Sequence, residues 1–269
     1  MPNWETCCES VNESVRRRRI LICCIFWGLI FLAFAIRVIK YYNYNPSGIQ
    51  RSSKSTSFDF FMLAVSWPIS LCRARTDNGT NAADACNLTK NEDNWLIHGL
   101  WPKRIEDYST KSCPPSRFNE TELEPIRDEL EEYWPTKLND WTNPSLWKHE
   151  WKKHGACALQ IESLNTQLKY FQRTLELYKQ YNVTKALKDC GIHPDDSKLY
   201  KKDEFISCFE KHFNAHPQLS CKKMRNKTTL DEIRFCITKN FTIQNCEMFR
   251  VQKYCEKDFI FPANVDPKV

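Results

Sequence analysis

The chain has 269 residues with 14 cysteines, 6 glycines and 6 histidines, and its formal net charge is +6. This length accommodates one large domain or two small ones, and 42% hydrophobic with 27% charged residues excludes wholesale disorder. Scarce glycine, with no G-x-G-x-x-G or Walker-type sequence, argues against a glycine-rich phosphate loop. So many cysteines indicate disulfides in an oxidising compartment, or metal and redox sites in the cytosol.

The amino-terminal residues predict a targeting segment followed by a linker. Residues 1–19 are polar and end in four arginines, residues 20–39 include an uncharged run from Ile20 to Ile36, and residues 40–57 are polar and serine-rich. A basic flank before an apolar run is typical of a retained type II signal anchor with a cytosolic tail. It is also typical of a signal peptide, for which Ala33-Phe34-Ala35 offers a cleavage site. Both alternatives place the rest of the chain in the secretory or endolysosomal lumen or outside the cell.

Glycosylation sequons agree with translocation of the chain beyond residue 40. An N-x-S/T sequence is a potential acceptor of an N-linked glycan in a secreted protein. Six such sequons predict glycans at Asn78, Asn87, Asn119, Asn182, Asn226 and Asn240.

The cysteines divide into two groups. Cys7, Cys8, Cys23 and Cys24 precede the linker and are either palmitoylation sites or ordinary free thiols. The other ten allow five disulfides, and none lies in a C-x-x-C pair, which disfavours a zinc ribbon or a thioredoxin-like site. These ten are Cys72, Cys86, Cys113, Cys157, Cys190, Cys208, Cys221, Cys236, Cys246 and Cys255.

The remaining chain alternates between short apolar runs and helical patterns. The runs Phe58–Trp67 and Trp95–Trp101, stopped by Pro68 and Pro102, predict buried strands. Residues 122–133 predict a helix between Asn119 and Pro135, and residues 183–190 predict a short helix that ends near Gly191. An amphipathic helix over 163–181 is predicted by a stripe of Leu164, Leu168, Phe171, Leu175 and Tyr178. Interleaved helices and strands indicate the α+β class.

Two short segments contain three of the six histidines. They read Ile97-His98-Gly99-Leu100-Trp101-Pro102 and Trp147-Lys148-His149-Glu150-Trp151-Lys152-Lys153-His154-Gly155-Ala156-Cys157. On a helix, with about 100° per residue, four polar groups of the second segment share an arc of about 140°: His149, Glu150, Lys153 and His154. A solvated helix face would give the same pattern. The tryptophans and Cys157, however, anchor this segment in the fold.

The second segment resembles the zinc motif H-E-x-x-H but has the wrong spacing. His149 and His154 are five residues apart, so a helix separates them by about 140° rather than the 40° of an i,i+4 pair. Two side chains so placed cannot easily reach one tetrahedral zinc ion. The sequence therefore predicts no metal site and no cofactor.

Histidines and a lysine without a metal suit the cleavage of RNA. RNA carries its own nucleophile, the 2′-OH, and needs a base for that proton and an acid for the leaving 5′-oxygen. Neutral and protonated histidine coexist near pH 5–7, because the imidazole pKa is ~6.5. A lysine and a further histidine would stabilise charge on the phosphorane. Trp101 would either stack a base or pack in the core.

These segments resemble the motifs of the ribonuclease T2 family, the acid, transferase-type ribonucleases of secretory compartments. Trp67-Pro68 followed by Cys72 is a further match, and the resemblance extends from about Phe58 to Pro262. It implies a single catalytic domain over 58–262, followed by a tail over 263–269. The implied fold is α+β, with a central antiparallel β-sheet flanked by helices and stapled by disulfides. It also implies a monomer that needs no metal or cofactor.

The resemblance assigns roles by position. His154 corresponds to the general base, His98 to the general acid and His149 to a phosphate-binding group. Glu150 and Lys153 correspond to stabilisers of the transition state, and Trp101 to a residue that stacks a base. The implied bridges are Cys72–Cys86, Cys113–Cys157, Cys221–Cys255 and Cys236–Cys246, with Cys190–Cys208 as an addition to the pattern of animal members.

Two departures and two alternatives accompany this interpretation. The anchor-like segment over 20–39 is unusual in a family of mostly cleaved, soluble members, and Lys103 stands where an acidic residue often helps to read a base. The leading hypothesis is an endoribonuclease that cleaves single-stranded RNA to 2′,3′-cyclic phosphate ends. One alternative is a non-enzymatic secreted or surface glycoprotein with the same fold, which would be expected to have lost a catalytic histidine. The other is a zinc hydrolase.

Overall fold

The computed structural model describes residues 58–76, 86–87, 93–106, 113–224, 226–246, 255 and 258–265. The predicted cytosolic tail, the anchor or signal segment and the linker, which together make up residues 1–57, lie outside the described residues. The four amino-terminal cysteines and the sequon at Asn78 also lie outside them. Within the described ranges, no helix is long and apolar enough to cross a membrane.

The described strands form one sheet. They are β1 (Phe60–Ser66), β2 (Leu96–Lys103), β3 (Asp195–Tyr200), β4 (Gln218–Met224), β5 (Lys227–Ile237), β6 (Ile243–Gln244) and β7 (Phe259–Phe261). The order β2-β1-β5-β7-β3 forms the main path, and β4 and β6 also pair with β5. All pairs are antiparallel except β5 with β7, which pair in parallel at Thr229 and Ile260. The predicted α+β fold with a central, largely antiparallel sheet is therefore confirmed.

The second strand extends further than its sequence predicts. Pro102 was expected to stop it, but β2 continues to Lys103, and Pro102 stands opposite Phe61 of β1. Proline lacks the N–H that a central strand must donate, so it is tolerated on an edge strand. In the described sheet β2 is at one end of the order. The extension brings Lys103 into the same strand as His98 and Trp101.

The described α-helices flank this sheet. They are α1 (Pro68–Thr76), α2 (Arg127–Tyr133), α3 (Asn143–Lys153), α4 (Gln167–Gln180), α5 (Val183–Asp189) and α6 (Lys202–Phe213). Side-chain oxygens of Thr142, Thr166 and Asn182 accept backbone N–H bonds at the starts of α3, α4 and α5. Such caps satisfy N–H groups that have no partner within the helix.

Two helix boundaries differ from the prediction. The helix expected over 122–133 is divided into a 3₁₀ segment, Glu120–Ile126, and α2. Pro125 lies in the 3₁₀ part, where it supplies no N–H for an α-helical bond. The helix expected over 163–181 begins at Gln167, because Thr166 caps it. Its predicted stripe faces the core: Leu168 is half-buried, and the other four members are buried.

Two buried tryptophans, Trp134 and Trp147, join α2 and α3 to the sheet. The indole N–H of Trp134 donates to the backbone oxygen of His98 at 3.0 Å, and that of Trp147 donates to the backbone oxygen of Trp134 at 2.9 Å. Burial of each large apolar side chain contributes about 1.5–3 kcal/mol. The tryptophans of α3 therefore fix which face of this helix meets the sheet, as the sequence predicted.

Five disulfides staple the described part of the chain. The pairs are those that the resemblance implies: Cys72–Cys86, Cys113–Cys157, Cys190–Cys208, Cys221–Cys255 and Cys236–Cys246. Each bridge typically contributes about 2–4 kcal/mol to stability. The Cys113–Cys157 bridge holds the turn immediately after α3, at the end of the second histidine motif.

Candidate active site

His98 lies in β2, with its backbone fixed by the sheet and by Trp134. Its neighbour Gly99 pairs with Ala64 of β1 and is buried. A Cβ atom at Gly99 would collide with the Glu150 carboxylate and the Trp101 indole. Glycine is therefore needed here for the close approach of α3 to β2, rather than for an unusual backbone angle.

The second motif is not one continuous helical face. His149, Glu150 and Lys153 belong to α3, but His154 is the residue that ends it, with φ −135° and ψ −55°. The helical angle predicted for His154 therefore does not apply. His149 and Lys153 are exposed and Glu150 is buried, which excludes a solvated Glu150–His154 pair.

The Glu150 carboxylate connects the two motifs. Its Oε2 accepts the Trp101 indole N–H at 2.9 Å, and its Oε1 lies 3.9 Å from Nε2 of His98. Burial raises the pKa of Glu150 to about 7, although His98 and the Trp101 hydrogen bond oppose the shift. Glu150 is therefore largely protonated in mildly acidic solution and can donate a hydrogen bond.

A second carboxylate, missed in the sequence, contacts His98. Oε1 of Glu232 in β5 meets Nδ1 of His98 and accepts the Ser66 hydroxyl at 3.1 Å. Its Oε2 accepts Nε of Arg234 at 2.8 Å. Burial raises the pKa of Glu232, but His98 and Arg234 more than offset this and hold that pKa far below its usual range. One signal could have found this group: Glu232 and Arg234 are two residues apart and put two charges on one face of a largely buried strand.

The pKa values of His98 and His154 are shifted in opposite directions. Burial lowers the pKa of His98, but the charge and hydrogen bond of Glu232, with the charge of Glu150, raise it to about 9. Burial, with the charges of Lys103 and His98, lowers the pKa of His154 to about 3. Near pH 5–7 His98 is therefore a cation and His154 is neutral. Nδ1 of His154 is buried without a hydrogen-bond partner among the described residues.

Trp101 lies between the two imidazoles. Its ring centroid is 4.9 Å from that of His98 and 5.4 Å from that of His154. Lys103 and Arg234 lie over the indole at 5.3 and 5.6 Å from its centroid. Only 8% of Trp101 is exposed. Its base-stacking role therefore stays a prediction that this burial does not favour, and holding Glu150 is the contact that the structure displays.

A cavity of about 220 Å³ opens beside these groups. Its lining includes His98, His149, Glu150 and Glu232, with Trp141 and Leu146 among the apolar groups. Burial, with the charges of Lys153 and His98, lowers the pKa of His149. The structure thus brings His98, His149 and Glu150 to one cavity, with the His154 ring against Trp101 and Lys153 on the adjoining surface of α3.

One further cluster has the composition of a metal site. Ligand atoms of Cys190, Cys208 and His212 lie within 4.8 Å of one another, and the described residues contain no other such group. Cys190 and Cys208 are bonded to each other, so neither offers a thiolate. This cluster lies outside the cavity that holds the histidines.

The fold and the site together define a class, a disulfide-stapled α+β protein with two histidines of opposite pKa shift on adjacent elements. Comparisons with known proteins then give the family. The profile of the Ribonuclease T2 family matches residues 58–246. Ribonuclease Oy of Magallana gigas is 30% identical over 201 residues, which cover 73% of this chain and 91% of that protein. Ribonuclease T2 of Sus scrofa is 32% identical over 185 residues, 67% of this chain and 84% of that protein. The chain belongs to the Ribonuclease T2 family.

Solved structures agree with this assignment. The crystal structure of human RNase T2 is 32% identical in sequence and superposes with a TM-score of 0.63, covering 76% of this chain and 98% of that one. RNase NT in complex with 5′-AMP is 25% identical and superposes with a TM-score of 0.65, covering 77% of this chain and 98% of that one. The shared fold extends over nearly all of each relative.

Proposed function

We propose that this protein is an endoribonuclease that cleaves single-stranded RNA by transphosphorylation, leaving 2′,3′-cyclic phosphate ends. The observation that carries the proposal is the pair of imidazoles on either side of Trp101, one cationic and one neutral at the same pH. An acid and a base that are charged correctly before substrate arrives are what this reaction needs. The family relationship and a relative bound to 5′-AMP support the choice of RNA.

In the proposed reaction the neutral His154 removes the proton from the 2′-OH. The 2′-oxygen attacks the adjacent phosphorus, and the bond from phosphorus to the 5′-oxygen breaks. His98, as an imidazolium, gives its Nε2 proton to that leaving oxygen. The products are a 2′,3′-cyclic phosphate and a free 5′-OH. Each proton transfer contributes about 10²–10⁴ to the rate.

Three groups stabilise charge on the phosphorane. Lys153 contributes positive charge, and His149, one turn away on the same side of α3, donates a hydrogen bond from its ring N–H. Glu150, with its pKa raised to about 7 by burial, donates a hydrogen bond while it is protonated instead of repelling the phosphate. The reaction therefore gains from a slightly acidic medium.

Glu232 acts as a positioning residue. Its contact with Nδ1 of His98 directs the other ring nitrogen, Nε2, toward the cavity and favours the charged imidazole. Ser66 and Arg234 hold the carboxylate in turn. Buried charge of this kind is tolerated because each oxygen has partners.

Five disulfides and exposed sequons support a location in the secretory pathway lumen or outside the cell. The sequon asparagines in the described ranges, Asn87, Asn119, Asn182, Asn226 and Asn240, are all exposed, as glycan attachment requires. Attachment to a membrane through residues 20–39 remains part of the proposal, alongside its alternative of a cleaved signal.

The test uses an oligodeoxynucleotide with one internal ribonucleotide. The purified glycoprotein should cut it once, after the ribonucleotide, and mass spectrometry should identify the 2′,3′-cyclic end. EDTA should not reduce the rate, and an all-deoxy oligonucleotide should remain uncut.

His98→Ala and His154→Ala should each lose at least about 10²-fold in kcat/KM. His193→Ala, an exposed histidine outside the cavity, is the matched control. Cleavage of the all-deoxy strand, or full activity in either active-site variant, would refute the mechanism.

A further inference from the structure

The outer surface of α3 presents three lysines without an ion-pair partner among the described residues. Lys148, Lys152 and Lys153 are exposed, and none makes an ion pair or a side-chain hydrogen bond with the residues that the structure describes. Some exposed lysines on other elements do have carboxylate partners, as Lys179 has in Glu129 at 2.7 Å. The positive charge on α3 is thus left free for a ligand.

These lysines border a shallow groove of about 430 Å³. The groove runs between α3 and the segment before it, and Trp141 and His149 line it as well. The same two residues line the cavity of the proposed active site, and their rings meet edge to face at 5.5 Å. The groove therefore begins where the catalytic cavity ends, with His149 at the boundary.

Charge in the groove is one-sided. Among the described residues that line it, the only acidic one is Asp140, and Arg75 lies 3.3 Å from the Asp140 carboxylate. Three lysines with no acidic counterpart attract a polyanion, and a strand that leaves the cavity past His149 enters their field directly. Trp141, half-buried, adds an aromatic ring to a cationic surface, the combination that binds single-stranded nucleic acid.

We propose that this groove binds the RNA strand next to the cleaved linkage, with Lys148 and Lys152 on a flanking phosphate and Trp141 against a flanking base. The inference rests on the proposed function, because the bound strand is the substrate itself. It adds a site beyond the reacting dinucleotide. Long RNA should therefore be cleaved more efficiently than a dinucleoside monophosphate, whose single phosphate stays in the cavity.

The test compares Lys148→Ala/Lys152→Ala with the unmodified protein on two substrates, a decaribonucleotide and a dinucleoside monophosphate. At low ionic strength kcat/KM for the decamer should fall about 10-fold, while that for the dinucleotide stays unchanged. The slope of log kcat/KM against log salt for the decamer should become shallower by ~0.7, since the contact with one single-strand phosphate contributes about that much. Lys188→Ala/Lys211→Ala, which removes the same charge from exposed positions on α5 and α6, is the control and should change neither substrate.

Binding of a 2′-deoxy decamer, which lacks the nucleophile, tests the groove apart from catalysis. Its dissociation constant should rise about 10-fold in Lys148→Ala/Lys152→Ala and stay unchanged in the control. An unmodified protein that cleaves neither substrate would refute the proposed function, while this measurement would still decide the groove. An equal loss of kcat/KM on the dinucleotide, or an unchanged dissociation constant for the decamer, would overturn the inference. So would a loss of binding that affects only a sulfated polysaccharide, offered as a second polyanion, and not the decamer.

Discussion

Glu232 contacts Nδ1 of His98, although the two residues lie on strands that are not adjacent in the sheet. His98 lies in β2 and Glu232 in β5, and β1 runs between them in the sheet. Ser66 of β1 donates to the same carboxylate oxygen. Three adjacent strands therefore set the charge of the proposed general acid.

We expect Glu232→Gln to move the alkaline limb of the pH–rate profile. In the native protein Glu232 helps to raise the pKa of His98 to about 9, so the acid stays protonated well above neutral pH. Without the charge, the pKa of His98 falls toward its ordinary ~6.5 and the acid is lost earlier as pH rises. The profile of kcat/KM for a dinucleoside monophosphate, measured from pH 4 to 10, reads this directly. A loss of kcat/KM that is equal at every pH, with the alkaline limb at its original pH, would mean that Glu232 only supports the fold.

Glu150→Gln should flatten the pH dependence of stability. A carboxyl group whose folded pKa is raised from 4.5 to about 7 contributes stability below pH ~4.5 and loses it as pH rises through 7. The loss is on the order of 3 kcal/mol, and glutamine cannot ionise to incur it. Urea unfolding at pH 4.5 and pH 8 should show the free energy of unfolding falling less in the variant. An unchanged fall would show that Glu150 is not the group responsible.

Gly99→Ala should impair catalysis more than stability. The added methyl group collides with the Glu150 carboxylate and the Trp101 indole, so these side chains must move and their hydrogen bond is disturbed. We expect at least about 10-fold loss of kcat/KM, because displacements of about 1 Å cost that much or more. Gly191→Ala is the matched control. Gly191 has φ +69° with open space around it, so alanine there should cost about 1 kcal/mol of stability and no activity. Equal activity in both variants would contradict the prediction.

Two disulfides should differ in their effect on activity. Replacing Cys190 and Cys208 by serine opens a loop of 18 residues and should cost about 3 kcal/mol, with kcat/KM retained. Replacing Cys113 and Cys157 opens a loop of 44 residues and frees the turn that follows His154, so activity should fall as well. Thermal unfolding and initial rates, measured below both melting temperatures, separate the two outcomes. Retained activity in the second variant would show that the bridge does not hold His154.

The sequence predicted the parts of the site that lie close together along the chain. His98 and Trp101 belong to one short motif and His149 to His154 to another, so their spacing alone suggested the chemistry. The helical angle for His154 was wrong because α3 ends one residue earlier, at Lys153. A helix pattern carries no information about the backbone of the residue that ends it.

Contacts across the sheet could not be predicted in the same way. His98 and Glu232 are separated by 134 residues, and only the strand order brings them together. The continuation of β2 through Pro102 likewise depends on its edge position, which the residues of β2 do not encode. The α+β class and the amphipathic α4, by contrast, follow from local apolar patterns.

The opposite charge states of His98 and His154 also bear on the fate of the product. Hydrolysis of a 2′,3′-cyclic phosphate would use the same two groups in exchanged roles, with His98 accepting a proton and His154 donating one. The surroundings of both side chains oppose that arrangement, since they keep His98 charged and His154 neutral. Cleavage leaves the two histidines in that arrangement, and proton exchange with the solvent then returns them to the favoured one. Products with 2′,3′-cyclic ends should therefore accumulate and leave the protein. The site would then catalyse transphosphorylation better than the hydrolysis of the cyclic phosphate.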